Sequence, residues 1–261
     1  LVGSEMCIRD RGGGPVLKLC VNGARTPAEH PLLSADPADL LDDAVEAAAL
    51  GAGPVHLHPK DRAGRDSLRA EDVARWVGAF RRALPRIRIG VTTGAWAETE
   101  PAARIERIRS WTALPDFASV NWHEDGAEEL ASALLARGIA VEAGLWDAGA
   151  ARAWVDSPLR RRCLRPLLEV QDLPAPRAAA EAHEMLQVVR ESAPESVPLL
   201  HGEERSAWPV LRIAREQHLD TRIGLEDTLV LPDGTSAAGN SQLVASVLRI
   251  SAAGAPSATS D

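Results

Sequence analysis

The stretch Pro54-Val55-His56-Leu57-His58-Pro59 is the one from which the fold of this chain can be worked out. If it forms a β-strand, residues i and i+2 share a face, so His56 and His58 project side by side and Leu57 faces the other way. Two adjacent imidazoles make half of a metal site, since imidazole binds Zn²⁺, Cu, Fe and Ni. The spacing alone also fits two structural histidines, so the rest of the sequence must distinguish a metal site from a structural pair.

Short apolar runs recur on both sides of this stretch, and each is followed by an Ala-, Leu- and Arg-rich segment of helical character. Helix-start signals stand between them, for example at Ser67 and at Asp125. Strands that alternate with helices pair in parallel through right-handed crossovers. The eight predicted strands are 16–21, 54–58, 87–91, 117–121, 139–142, 166–170, 197–200 and 222–225, and the later predicted helices lie near 147–155, 177–191, 206–217 and 240–250.

Eight such units in about 240 residues predict a (β/α)₈ TIM barrel, an α/β fold. The alternative is an open doubly wound sheet, which usually carries a glycine-rich phosphate turn after an early strand. Here the segment Asn22-Gly23-Ala24-Arg25 has a single glycine. We therefore predict one barrel domain over 15–250, an N-terminal appendage over 1–14 that is non-native or disordered, and a flexible tail over 251–261.

Composition narrows the class of protein. The formal charge of −8 over 261 residues argues against nucleic-acid binding, which requires a basic face. No apolar run approaches the ~20 residues that span a bilayer, so no membrane association is predicted. Cys7, Cys20 and Cys163 show no paired spacing, which indicates neither disulfides nor a cysteine metal site and fits a cytoplasmic location.

Polar residues stand at the ends of the predicted strands, where active sites of this fold lie. Any one of them could be a capping or hydrogen-bonded group. Their convergence, with histidines and several carboxylates among them, instead indicates a site built from Asn22, His56, His58, Thr92, Thr93, Gly94, Ser119, Asn121, Glu142, Glu169, His201, Glu226 and Asp227.

The segment Arg222-Ile223-Gly224-Leu225-Glu226-Asp227 supplies the further groups that a metal site at the two histidines needs. Glu226 would complete a His-His-Glu metal site with a coordination position left open. Asp227 points differently and would be free to act as a base. Arg222 shares a face with Glu226, although a surface Arg–Glu pair of little energetic value is the alternative.

These residues together resemble the beta-keto acid cleavage enzymes, zinc-dependent barrels. The resemblance rests on His-Leu-His-x-x-Asp at 56–61, Thr-Thr-Gly at 92–94, Ser-x-Asn at 119–121, Val-Glu at 141–142 and Arg-Ile-Gly-Leu-Glu-Asp at 222–227. It implies that a β-keto acid and acetyl-CoA are converted to acetoacetate and a new acyl-CoA. It also implies that His56, His58 and Glu226 bind Zn²⁺, which polarises the substrate's oxygens.

The resemblance further assigns roles to the other residues. Asp227 would be the base, oriented by Arg222 and the Thr92 hydroxyl, and Glu142 would lie near the reacting carbonyls. Hydrogen bonds to the acetoacetate half would come from Thr92, Gly94, Ser119 and Asn121. Family resemblance suggests a homo-oligomer, with a tetramer favoured, and buried tryptophans at subunit contacts would fit it: Trp76, Trp96 and Trp154.

Two other functions remain open from the sequence. One is a metal-dependent hydrolase, although such barrels generally recruit histidines from the fifth and sixth strands, where this chain has Glu142 and Glu169. The other is a barrel that binds without catalysis. His201 is either a pocket residue or a hydrogen-bonded strand-end histidine, and Glu203 and Glu204 are predicted to be solvated. The identity of the keto acid does not follow from the sequence.

Overall fold

The computed structural model describes residues 14–253, in which parallel strands and helices alternate. Two short 3₁₀ turns, Arg160–Arg162 and Glu204–Ser206, interrupt the pattern. The strands and helices in chain order are β1 Leu17–Cys20, α1 Ala38–Ala49, β2 Val55–Leu57, α2 Ala70–Ala83, β3 Ile89–Thr92, α3 Pro101–Ser110, β4 Phe117–Asn121, α4 Ala127–Ala136, β5 Ala140–Leu145, α5 Ala148–Asp156, β6 Arg165–Val170, α6 Ala175–Ser192, β7 Leu199–Gly202, α7 Ala207–Glu216, β8 Thr221–Ile223 and α8 Asn240–Ala253.

The eight strands form one parallel sheet in the order β7-β6-β5-β4-β3-β2-β1-β8. The two edge strands meet through a bridge between Leu199 and Asp220, and the Leu200 N–H donates to the Asp220 carbonyl over 2.9 Å. The sheet therefore closes nearly completely on itself. The prediction of a (β/α)₈ TIM barrel is confirmed.

Helix α2 shows why these segments are helical. Its buried side chains recur at the spacing of one helical face, and burying them against the sheet stabilises the helix by tertiary packing. Acidic residues lie in its first turn and arginines in its last, where they oppose the helix dipole. The buried apolar face consists of Val73, Trp76, Val77 and Phe80.

The carboxyl ends of three strands differ from the prediction by two residues or more, and one of them is β7, which continues to Gly202. Strand β5 continues to Leu145, because Asn121 pairs with Gly144 and Leu145 pairs with Leu168. Glu142 is therefore in the middle of β5 and not at its end. Strand β8 ends at Ile223, two residues before the predicted end at 225.

Charged side chains fill the barrel interior around Glu142. The Lys18 ammonium lies 2.6 Å from Glu142 Oε2, and Arg165 Nε lies 3.3 Å from Oε1. Arg165 also contacts Asp220 over 2.6 Å. Within this fully buried network the negative charge of Glu142 is matched on both oxygens, so Lys18 and Arg165 lower the pKa of Glu142 although burial opposes this.

Two of the three tryptophans that fitted a subunit contact have another explanation. Trp76 and Trp154 are fully buried in the barrel's own core, so they do not indicate an interface. Trp96 is 44% exposed, but it lines the cavity described below. The oligomeric state therefore stays a prediction from the family resemblance alone.

The predicted ends of the domain stay predictions. Helix α8 extends to Ala253, three residues into the segment predicted as a flexible tail. Residues 1–13 and 254–261 of the predicted appendage and tail lie outside the described residues. Between them, no helix is both long enough and apolar enough to cross a membrane.

Candidate active site and metal centre

His56 and His58 lie together at the carboxyl end of β2, as their spacing predicted. Their ring centroids are 5.3 Å apart with the planes at 77°. The side chain of Asn22 holds the backbone of His58 from both sides: its amide donates to the His58 carbonyl over 2.8 Å and its oxygen accepts from the His58 N–H over 2.9 Å. The second histidine is thus fixed although it follows the last residue of the strand.

Glu226 reaches these histidines because the chain turns closely past β1. A Cβ on Gly224 would lie only 1.9 Å from the Cys20 carbonyl oxygen, so this close approach requires glycine. The Glu226 N–H then donates to the same carbonyl over 3.2 Å. Its carboxylate oxygens lie 3.8 Å from His56 Nε2 and 3.6 Å from His58 Nε2.

The three side chains fit a divalent metal ion. One ligand atom from each of His56, His58 and Glu226 lies within 4.8 Å of the others. Glu226 Oε2 is buried and has no hydrogen-bond partner among the described residues, which leaves an acceptor available to an ion. Two imidazoles and one carboxylate are a donor set typical of a catalytic zinc site, with a position open for substrate.

The electrostatics of the two histidines differ. Burial lowers the pKa of His56 to about 3, although Glu226 opposes this. Burial would also lower the pKa of His58, but the carboxylates of Glu226 and Asp66 raise it to about 9. The carboxylates around His58 thus favour a positive charge there, and a metal ion bound between His58 and Glu226 would supply it in place of a proton.

A second carboxylate orients His58. Asp66 Oδ2 lies 3.0 Å from His58 Nδ1 and accepts from Trp96 Nε1 over 2.7 Å, while Asp66 Oδ1 accepts from Lys60. The Trp96 ring stacks on the His58 ring with centroids 5.7 Å apart. His56 Nδ1 has no such partner among the described residues.

Sequence reasoning missed Asp66. The motif His-x-His-x-x-Asp pointed to Asp61, which instead forms a surface pair with Arg65 at 2.9 Å. The loop reverses direction between the two aspartates, with a bridge between Lys60 and Asp66. This reversal returns Asp66 to His58, and nothing in the linear spacing indicates it.

Arg222 joins the candidate base to the candidate metal ligand. Its Nη2 lies 2.7 Å from Asp227 Oδ1 and 2.9 Å from Glu226 Oε1, and its Nε donates to Asp227 Oδ1 over 2.9 Å. Asp227 is fully buried, and its second oxygen, Oδ2, has no hydrogen-bond partner within residues 14–253. The alternative of a weak surface Arg–Glu pair is therefore wrong, because Arg222 is buried with its partners.

His201 holds Arg222 in this arrangement. Its Nδ1 accepts from Arg222 Nε over 3.0 Å, and its Nε2 lies 3.1 Å from Glu169 Oε2. Burial would raise the pKa of Glu169, but His201 and Arg222 lower it to about 2. His201 is thus a buried, hydrogen-bonded strand-end histidine, and it is not among the residues that line the cavity.

A cavity of about 280 Å³ opens above the three metal-ligand candidates. Thr92, Ser119 and Asn121 line it, whereas Gly94, Glu142 and Asp227 are not among its lining residues. The other residues of its wall are Ala24, Arg25, His56, His58, Trp96, Trp146, Leu167, Glu169, Glu203, Arg222 and Glu226.

Several predicted substrate-binding groups already have partners in the protein. The Thr92 hydroxyl accepts from the Gly94 N–H over 3.2 Å, and within the described chain it makes no hydrogen bond to Asp227. The Asn121 amide donates to Glu124 over 2.8 Å. Gly94 leaves room for Trp96, since a Cβ there would lie 2.3 Å from the indole ring.

Glu203 faces the cavity, so the prediction that it is solvated is wrong. Its side chain is only 30% exposed. The backbone fixes it there, because the Glu203 N–H donates to the Val170 carbonyl over 2.9 Å and the next N–H, of Glu204, donates to Asp227 over 2.7 Å. Glu204 has φ +49°, a left-handed conformation that turns the chain at this point.

A parallel barrel with a buried two-histidine, one-carboxylate cluster at the carboxyl ends of its strands belongs to the class of TIM-barrel enzymes with a candidate metal centre. A sequence profile of the beta-keto acid cleavage enzyme family matches residues 16–261. The chain therefore belongs to the beta-keto acid cleavage enzyme family, as the sequence motifs suggested.

Solved structures with similar folds include ObcA in a binary complex with oxaloacetate (TM-score 0.64, 16% identity over 82% of this chain and 62% of that chain). ObcA in a ternary complex with a C4-CoA adduct and oxalate is similar to the same extent (TM-score 0.63, 15% identity, 82% and 62%). A 3-dehydroquinate dehydratase from Geobacillus kaustophilus HTA426 also matches (TM-score 0.58, 12% identity, 93% and 91%). At these identities the similarity shows the fold alone, and the chain spans 62% of the length of ObcA.

Proposed function

We propose that this protein converts a β-keto acid and acetyl-CoA to acetoacetate and a new acyl-CoA. Membership of the beta-keto acid cleavage enzyme family supports the reaction class. The observation that carries the proposal is the convergence of His56, His58 and Glu226 beside the Arg222–Asp227 pair. ObcA has been solved with oxaloacetate, itself a β-keto acid, and with a CoA adduct, which is consistent with this chemistry on a similar fold.

We assign the binding of Zn²⁺ to His56, His58 and Glu226. When bound there, the ion would act as a Lewis acid that polarises the substrate's keto and carboxylate oxygens. Three protein ligands are the usual number for a catalytic zinc, which leaves room for substrate oxygens.

Proton transfer is assigned to Asp227. The methylene group between the two carbonyl carbons of a β-keto acid is its most acidic C–H. Arg222 holds Asp227 Oδ1, so the unpartnered Oδ2 is the oxygen available to take that proton. The carbanion carbon then bonds to the acetyl carbonyl carbon, and the thioester C–S bond breaks to release CoA thiolate. The thiolate attacks the original keto carbon, and the bond between this carbon and the former methylene carbon breaks, which releases the new acyl-CoA. The proton returns from Asp227 to the carbanion carbon and gives acetoacetate.

The cavity residues position the substrate. We propose that Thr92, Ser119 and Asn121 hydrogen-bond the acetoacetate half, with Gly94 acting through its N–H bond to the Thr92 hydroxyl. For Glu142 we propose a role beneath the site. Its charge is balanced by Lys18 and Arg165, so it would change the electrostatic potential at His56 and would not contact the reacting carbonyls.

Metal analysis and an isotope-labelled assay test the reaction together. The purified protein is analysed for metal, loaded with zinc and given doubly ¹³C-labelled acetyl-CoA with a panel of β-keto acids. We expect about one zinc per chain, label in the acetoacetate and none in the acyl-CoA. Labelled free acetate with unchanged keto acid would refute the proposal and favour a hydrolase.

Matched variants separate the site from the fold in that assay. Asp227→Asn should retain zinc and lose acetoacetate formation. Asp172→Asn, which changes an exposed aspartate paired with Arg205, is the control and should retain both. Equal activity in the two variants would refute the assignment of the base.

The family resemblance also underlies two proposals that concern the whole protein. We propose a homo-oligomer, with a tetramer favoured, and a cytoplasmic location. Size-exclusion chromatography with light scattering measures the first, and a monomeric mass at micromolar concentration would refute it. Fractionation of the native cells measures the second.

A further inference from the structure

Glu124 is a largely buried glutamate that contacts the cavity wall from outside and does not itself line the cavity. It lies in the turn between β4 and α4, and its side chain is only 9% exposed. The turn is fixed, because the Glu124 N–H donates to the Asn121 carbonyl over 3.1 Å. The proposed reaction does not use this carboxylate, so its burial beside the site requires another explanation.

The two oxygens of Glu124 accept hydrogen bonds from two parts of the site. Oε1 accepts from Asn121 Nδ2 over 2.8 Å, which fixes the amide of a residue that lines the cavity. The Ala95 N–H donates to both oxygens, over 3.1 Å to Oε1 and 3.0 Å to Oε2. One carboxylate thus joins the carboxyl end of β4 to the loop that follows β3.

Arg104 of α3 holds this carboxylate in place. Its Nη1 donates to Glu124 Oε2, and its Nη2 donates to the Asp125 carbonyl over 2.8 Å. The Arg104 side chain is 2% exposed, so the ion pair is shielded from water. Removing one partner of a buried pair leaves an uncompensated charge, so a change of Glu124 will alter this arrangement.

The hydrogen bond to Ala95 affects the candidate metal centre through the next residue. Trp96 stacks on the His58 ring and donates to Asp66 over 2.7 Å. Because Glu124 anchors the backbone N–H of Ala95, it restricts where the indole of Trp96 can lie. The environment of His58 therefore depends on a carboxylate that does not contact His58.

We infer that Glu124 is a positioning residue for two parts of the site. Through Asn121 it sets the orientation of an amide that faces the substrate, and through Ala95 it sets the position of Trp96 beside His58. The first part rests on the proposed function, since it concerns binding of the β-keto acid. The second part concerns zinc affinity and does not depend on the reaction.

Glu124→Gln tests the substrate part. Three donors face the two oxygens of Glu124, so a glutamine must turn its NH₂ group toward at least one of them. In zinc-loaded protein we expect the KM for the best β-keto acid of the panel to rise about tenfold. The kcat and the KM for acetyl-CoA should change less than about threefold. A loss of folded protein would instead lower kcat and leave both KM values unchanged.

A double-variant cycle shows whether Asn121 carries this effect. In an Asn121→Ala background, Glu124→Gln should change the KM for the keto acid less than about twofold, because the amide through which Glu124 acts is missing. A full tenfold increase in that background would overturn the inference. An unchanged KM in the folded Glu124→Gln single variant would also overturn it.

Zinc affinity tests the metal part. In competition with a chromophoric chelator, the zinc dissociation constant of Glu124→Gln should be about three- to tenfold above that of the wild type. This is less than the roughly 10- to 100-fold expected for a direct partner of a metal-binding histidine. A change under about twofold would overturn the inference.

Glu98→Gln is the matched control for both measurements. Glu98 is a glutamate of the loop between β3 and α3, and it pairs with Arg107 of α3 at 3.5 Å as Glu124 pairs with Arg104. Its side chain makes no hydrogen bond to Asn121 or Ala95 within the described chain. Both KM values and the zinc dissociation constant should therefore match the wild type.

Glu124→Asp replaces the glutamine variant if the latter does not fold. Aspartate keeps the charge opposite Arg104 but is one methylene shorter, so it cannot reach Asn121 and Ala95 as well. The same changes in KM and zinc affinity are expected, and wild-type values would overturn the inference. If the wild type forms no acetoacetate from any keto acid, the proposed function fails, and the zinc measurement alone decides the inference.

Discussion

Replacing Asp66 with asparagine tests how strongly the environment of His58 determines metal affinity. The two oxygens of Asp66 face three donors: His58 Nδ1, Trp96 Nε1 and the Lys60 ammonium. An asparagine must turn its NH₂ group toward at least one of these donors, whichever way the amide is oriented. The variant therefore loses a charge and gains a donor–donor contact.

The magnitude follows from this geometry. Loss of an outer hydrogen bond to a metal-binding histidine typically costs 10- to 100-fold in metal affinity, roughly 1.4–2.7 kcal/mol. Because the NH₂ group of Asp66→Asn also faces at least one donor, we expect the upper end, about 100-fold. The His58 ring would lose the partner that holds its Nε2 toward Glu226.

Competition with a chromophoric zinc chelator at constant pH measures the dissociation constant. Asp61→Asn is the matched control, since Asp61 is an aspartate of the same loop that pairs with Arg65 at the surface, and it should bind zinc like the wild type. Circular dichroism of the metal-free variants confirms folding. A folded Asp66→Asn protein within about threefold of the wild type would refute the reasoning.

Three further predictions concern the base, the barrel interior and the thiols. Asp227→Asn should lower kcat by about 10²-fold or more at unchanged zinc content, and unchanged turnover would exclude it as the base. Lys18→Met leaves Glu142 with Arg165 as its remaining ion-pair partner and should cost about 3 kcal/mol of unfolding free energy in urea; a loss under about 1 kcal/mol would contradict the importance of this pair. Burial raises the pKa of Cys163 to about 11, so in a Cys7→Ser protein thiol labelling should be slow at pH 8 and rise about tenfold per pH unit toward pH 10; fast labelling at pH 7 would contradict this.

The fold was predictable because its signal is local and repeated. Each strand is a short apolar run, and each helix has its own buried face, so errors at single boundaries do not change the count of eight. The metal-ligand candidates were predictable for a related reason. His56, His58 and Glu226 each lie within three residues of the carboxyl end of a strand, and the barrel brings all such ends together.

What failed depends on partners distant in sequence. Glu142 seemed to end a strand, but pairing of Leu145 with Leu168 extends β5 beyond it. Glu203 seemed solvated, but backbone bonds from its segment to Val170 and Asp227 turn it inward. Neither contact can be recognised from the sequence. The residues next to Glu142 and Glu203 along the chain do not indicate these distant partners.

The segment from Arg222 to Asp227 explains how consecutive residues acquire different roles. The turn at Gly224 packs against the Cys20 carbonyl and directs Glu226 toward the histidines. It also directs Asp227 toward the Arg222 guanidinium, so that one arginine contacts both carboxylates. Any shift of Arg222 would therefore disturb the candidate metal ligand and the proposed base together. Glu203 approaches the same guanidinium from β7, where the cation is already engaged by closer carboxylates. The closer carboxylates around Arg222 are thus the physical reason that this arginine does not neutralise Glu203.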